Sequence, residues 1–188
     1  RPFHLEEKYT ATNWATREMC EMIMRKDPTR PAFWYLSYAA PHPPLVPPKE
    51  YLEMYDQMEF SKPLEGEWTK EDPEKLPFAY QYYKNLYNWF DKNNRIDIAK
   101  KAYYATCTYI DHQLRLVIGT LREQGLLEDT IILFTADHGE MLGTHGLFGK
   151  FLMYENSVKI PFILSPPASC GMVCNRVDDR IVELRDVM

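Results

Sequence analysis

The stretch Ile131-Ile132-Leu133-Phe134-Thr135-Ala136-Asp137-His138-Gly139-Glu140 is a short apolar, β-branched run that stops abruptly at an acid and an imidazole. It continues into Gly143-Thr144-His145-Gly146-Leu147-Phe148-Gly149-Lys150, a glycine-rich segment expected to be irregular. In open α/β sheets, ligands sit in the crevice beyond the carboxyl ends of the strands, which is where this sequence places its chemistry. An Asp and a His make a metal-ligand pair, and a Lys can meet an anion. The first expectation is a metal-assisted hydrolase or transferase acting on a small oxyanion ester.

Outward from that point, the pattern alternates helices and strands. Thr12 to Lys26 reads as an amphipathic helix with Trp14, Met19, Met22 and Ile23 on one side, ended by Asp27-Pro28. Ala32 to Tyr38, rich in aromatics between Pro31 and Pro41, reads as a strand. The prolines of Pro41-His42-Pro43-Pro44-Leu45-Val46-Pro47-Pro48 supply no N–H, so this segment is expected as a stiff extended loop. Lys49 to Tyr55 suits a short helix, residues 56 to 79 an irregular surface excursion, and Tyr80 to Phe90 another short helix.

Asp97 to Gln124 is the longest periodic segment. Ile98, Ala102, Ala105, Tyr109, Leu114, Val117 and Leu121 form its stripe, and Gly125 its stop. Strands are expected at Thr130 to Ala136 and Pro161 to Ser165. This is an α/β order with a parallel sheet expected. Three strands make a narrow sheet for so many helices, so the chain reads as part of a larger domain.

Composition narrows the classes. The 188 residues carry a formal charge of −5, with no basic run to displace counterions from a phosphate backbone, so nucleic acid is not an expected partner. No run of apolar residues is long enough for a transmembrane helix, and the first residues lack the apolar core of a signal peptide. Both ends look cut, which leaves compartment open. Cys20, Cys107, Cys170 and Cys174 define neither a disulfide framework nor a zinc knuckle.

Asp137 and His138 can converge on one cation if the backbone turns sharply, which Gly139 permits. The plainer alternative is a helix-capping Asp beside an incidental His. His42, in a rigid loop after the first expected strand, can protonate a leaving group near neutral pH; the alternative is a solvated spacer residue. Lys150 is flanked by Leu147, Phe148, Phe151 and Leu152, which favours burial of its stem and an anion for its head. His145 is open to three roles: ligand, substrate contact or loop packing. Gly143 to Lys150 imitates a P-loop, but the glycine spacing is one residue too long and Phe151 stands where Ser or Thr is needed. There is neither a Gly-x-Ser-x-Gly elbow nor an activated cysteine.

The ordered set Tyr38-Ala39-Ala40-Pro41-His42-Pro43-Pro44, Tyr109-Ile110-Asp111, Gly125 to Thr130, Ala136 to Glu140, Gly146 to Lys150, Tyr154-Glu155 and Ile160-Pro161-Phe162 resembles the C-terminal half of the catalytic domain of the sulfatases, within the alkaline phosphatase superfamily. The resemblance implies an alkaline-phosphatase-like α/β fold, a mostly parallel sheet flanked by helices, present as a partial domain. It implies that Asp137 and His138 hold a divalent metal, calcium before zinc, manganese or magnesium. It implies that His42 and Lys150 contact the sulfate and leaving oxygen; His145 is carried beside them as a candidate substrate contact. The family's nucleophile is a formylglycine made within Cys/Ser-x-Pro-x-Arg. That motif does not occur here, so it is expected upstream, and these residues alone are expected to be inactive. The implied partner is a small-molecule aryl or sugar sulfate. Phosphonate monoester or phosphodiester hydrolysis on the same scaffold, or a non-catalytic sulfatase-like domain, are the alternatives.

Overall fold

The structure, a computed structural model, describes residues 2–92 and 95–187. It divides into two compact units, Arg1–Lys62 with Asn88–Leu127, and Pro63–Tyr87 with Glu128–Met188.

The first unit is built on helices α1 (Ala11–Met24), α2 (Lys49–Glu53) and α4 (Ile96–Glu123). Helix α3 (Phe78–Lys92) begins in the second unit. Thr10 starts α1, its hydroxyl accepting the Asn13 N–H at 3.0 Å and so satisfying one of the unpaired amides of the first turn. The buried face of α1 is Thr12, Thr16, Met19 and Ile23, at helical spacing. This corrects the expected face: Trp14 and Met22 lie more than half exposed.

Helix α1 packs on α4 through a polar seam. The Thr10 and Tyr109 hydroxyls share a hydrogen bond, Gln113 Nε2 donates to Glu7 Oε1 at 2.7 Å, and Asn13 Nδ2 donates to Gln113 Oε1 at 3.2 Å. Helix α4 buries Ala102, Ala105, Tyr109 and Leu121 as expected, whereas Ile98 faces solvent. It ends in a Schellman motif: Gly125 at φ 67 donates to Arg122 O, and Leu126 to Leu121 O. Tyr51 of α2 packs against Ala105 and Tyr109.

Residues 32–38 form no regular element and pair with no strand among the described residues, and Phe33 and Tyr35 are exposed. The strand expected there is therefore absent. The proline segment that follows is a loop, as its missing N–H groups require.

The second unit holds β1 (Ile132–Thr135) and β2 (Phe162–Ser165). They pair antiparallel, with Leu133 opposite Leu164 and Phe134 opposite Ile163. The parallel pairing expected of these segments is corrected: among the described residues, the ladder is antiparallel. Leu76, Tyr80, Met141 and Leu147 form this unit's core, joined by Trp68, Tyr83, Leu152 and Tyr154. Segment 56–79 is irregular apart from short 3-10 turns and the first residues of α3, yet Leu76 and Trp68 reach that core instead of the surface. Helix α5 (Glu155–Val158) precedes β2.

Candidate functional site

Strand β1 delivers Asp137 and His138 just past its last residue, Thr135. The Asp137 carboxylate turns back on the chain, its Oδ1 accepting the His138 N–H at 3.0 Å. His138 Nδ1 lies 2.8 Å from the Gly139 carbonyl oxygen, which assigns the ring proton to Nδ1. The lone pair is then on Nε2, 3.5 Å from Asp137 Oδ2. The side chain of Asp137 is 84% exposed, so its outer oxygen remains open.

The turn depends on Gly139. A Cβ at that position would collide with the Asn156 carbonyl oxygen, because Gly139 donates its N–H to Ser157 O at 2.7 Å.

Residues 140–150 then fold into a loop closed on itself. Met141 N donates to Gly149 O at 2.9 Å, Gly143 N to Leu147 O at 2.8 Å, and Thr144 N to Met141 O at 2.8 Å. Met141, Leu147 and Phe148 are buried beneath it. Lys150 follows at the loop's end, half-buried, with its Nζ 5.7 Å from the centre of the Phe151 ring. Among the described residues no carboxylate forms an ion pair with Lys150.

His145 sits at φ 57, with Trp68 and Tyr154 at ring-centroid distances of 5.4 and 5.0 Å. Its backbone is held at both ends, the N–H by Leu64 O at 2.7 Å and the carbonyl by the Tyr80 hydroxyl at 2.9 Å. Its Nδ1 is buried without a hydrogen-bond partner.

His42 belongs to the other unit. It is exposed, its N–H donates to Ala39 O, and its Nδ1 lies 2.8 Å from the Pro43 carbonyl oxygen, leaving Nε2 as the acceptor nitrogen.

The donor set around residue 138 fits a divalent cation. A carboxylate oxygen and an imidazole nitrogen 3.5 Å apart are spanned by two metal–ligand bonds of about 2.0–2.6 Å. A ligating His characteristically donates its second ring N–H to a carbonyl or carboxylate, as His138 does to Gly139. Two donors do not fill a coordination shell, and among the described residues no group of three or more His, Cys, Asp or Glu is gathered for a metal. All four cysteines are free, and burial pushes the Cys107 thiol up to about 11, away from a reactive thiolate.

Glu140 and Ser157 were not singled out by sequence. Both act on backbone groups, and only the path of the loop reveals them.

The chain is a partial α/β domain of helices and a small sheet, with an acid–imidazole pair past a strand end, and its structural relatives give it an alkaline-phosphatase-like fold. A phosphonate monoester hydrolase from Silicibacter pomeroyi superposes with a TM-score of 0.71 at 27% identity, over 88% of this chain and 34% of that one. The sulfatase family model matches residues 2–186, and the chain belongs to the sulfatase family. It is 39% identical to an arylsulfatase of Clostridium perfringens, over 100% of this chain and 39% of that protein. It is 28% identical to a choline-sulfatase of Rhizobium meliloti, over 73% of this chain and 27% of that protein. The chain thus spans well under half the length of these relatives. No helix among the described residues is long and apolar enough to cross a membrane.

Proposed function

We propose that residues 2–186 are the C-terminal part of the catalytic domain of a sulfuric ester hydrolase acting on a small aryl or sugar sulfate. Asp137 and His138 supply two ligands to a divalent cation, calcium ahead of zinc, manganese or magnesium. His42 and Lys150 contact the sulfate group and the leaving oxygen, and His145 lines the substrate side of the loop.

A bound cation would supply positive charge to polarise the sulfate oxygens. Lys150 adds a compact ammonium whose protons can meet those oxygens. His42 holds its Nδ1 against Pro43 and presents Nε2, which once protonated can give that proton to the departing alcohol. The nucleophile, a formylglycine, lies outside these residues.

The observation that carries the reading is the Asp137–His138 pair, with its ring tautomer set and its nitrogen beside a carboxylate oxygen, in a chain of this family. Phosphonate monoester or phosphodiester hydrolysis is the second reading, supported by the fold match to a phosphonate monoester hydrolase.

The complete polypeptide containing these residues should hydrolyse an aryl sulfate faster than the matching aryl phosphonate. It should also yield a Cys/Ser-x-Pro-x-Arg peptide carrying the formylglycine mass. A preference for the phosphonate, with Thr or unmodified Ser at the nucleophile, would establish the second reading. Absence of any turnover would leave a non-catalytic domain.

A further inference from the structure

Glu140 and Ser157 hold the two ends of the loop that separates His138 from Lys150. Glu140 lies two residues past His138, and its Oε1 accepts the Gly149 N–H at 2.6 Å and the Leu142 N–H at 3.2 Å. Gly149 directly precedes Lys150. Ser157, 3% exposed, grips both ends: its carbonyl takes the N–H of Gly139, next to His138, and its hydroxyl donates to the carbonyl of Lys150 at 2.7 Å. One side chain reaches the residue before the lysine, and the other reaches the lysine itself.

From these contacts we infer that Glu140 and Ser157 are positioning residues, a clasp that fixes the backbone of Lys150 relative to the Asp137–His138 pair. The inference rests on the reading of Lys150 as a sulfate contact. An ammonium on a flexible four-carbon stem is aimed mainly by where its backbone is anchored. Here the anchors are a charge-assisted bond from Glu140 and a buried hydroxyl bond from Ser157, with the Phe151 ring near the head. Misplacing such a group by about 1 Å can cost on the order of 100-fold in rate.

The test uses the complete polypeptide, with Glu140→Ala, Glu140→Gln and Ser157→Ala made in the native and the Lys150→Ala backgrounds. The readouts are kcat/KM for an aryl sulfate and the Kd of inorganic sulfate by calorimetry, the latter measurable even where turnover is lost. In the native background, Glu140→Ala and Ser157→Ala are expected to lower kcat/KM by about 10- to 100-fold and to weaken sulfate binding. Glu140→Gln, which keeps an acceptor oxygen, should recover most of that loss.

In the Lys150→Ala background the same substitutions should weaken sulfate binding by no more than about 2-fold, because the group they position is gone. Equal losses in both backgrounds would overturn the clasp and leave a general folding role. So would unchanged activity when Lys150→Ala itself is damaging. If Lys150→Ala alters neither turnover nor sulfate binding, the sulfate reading of Lys150 fails first and the clasp falls with it. Should Glu140→Ala not fold, Ser157→Ala carries the comparison, since it keeps the carbonyl that holds Gly139.

Discussion

His138 commits one ring nitrogen to the Gly139 carbonyl, and that contact determines what the other nitrogen can do. With Nδ1 committed as the donor, Nε2 is left as the acceptor nitrogen and stands beside Asp137 Oδ2. His138→Ala in the complete polypeptide should therefore weaken divalent-cation affinity by more than about 100-fold, measured by competition with a chelator; unchanged affinity would remove the pair from the metal site. Tyr109 makes a second residue-level prediction. Burial, the largest influence, pushes its phenol up to about 12, so the folded state keeps a proton that the unfolded chain releases near pH 10. Stability is fully present below pH 10 and is lost as pH rises toward 12, a decline that Tyr109→Phe should flatten in melting curves. The strand end that carries Asp137 and His138 was legible in sequence because an apolar run ending in two polar residues is conspicuous. Glu140 and Ser157 were not, since their partners are backbone groups, and no residue type marks where a backbone amide will come to lie.

Helix α1 shows where element-scale reading fails and why. Its extent was legible to within about two residues, read as Thr12 to Lys26 and observed as Ala11–Met24, since the Asp27-Pro28 breaker is local chemistry. Its buried face was not. Hydropathy favours Trp14 and Met22 over Thr12 and Thr16, but the Thr16 hydroxyl donates to Thr12 O and meets the Tyr38 hydroxyl, which lets a threonine be buried. The same limit affected segment 32–38: aromatic residues suit a strand, but a strand exists only where a neighbour supplies a ladder. Thr10 carries the sharpest expectation at this scale. It caps α1 and shares a hydrogen bond with Tyr109, so Thr10→Ala should cost about 1–2 kcal/mol, read from the denaturation midpoint. Trp14→Ala, on the exposed face, should change stability by less than about 0.5 kcal/mol. The reverse order would restore the face that hydropathy predicts.

Across the whole molecule, the sheet and the site are both partial. Strands β1 and β2 form a two-stranded ladder, which is marginal by itself, and Phe162, Ile163 and Leu164 are all exposed along β2. Ile131 and Phe134 add further exposed apolar surface. The narrow sheet was legible from the small number of strand-like segments; its pairing direction was not, because periodicity carries no information on the partner's orientation. The chemistry is divided in the same way. Asp137 and His138 offer two ligands, Lys150 a cation without an ion-pair partner among the described residues, and no serine or cysteine stands in a nucleophile's motif. On the proposed reading, positive charge and a proton donor would orient a sulfate ester, but without a nucleophile there is no displacement at sulfur. We therefore expect residues 1–188 expressed alone to show no metal-dependent aryl sulfate turnover above buffer, while the complete polypeptide turns over and loses that activity on chelation. Turnover by residues 1–188 that disappears in Lys150→Ala would mean that a nucleophile is present within them, and would overturn the assignment of formylglycine to another part of the protein.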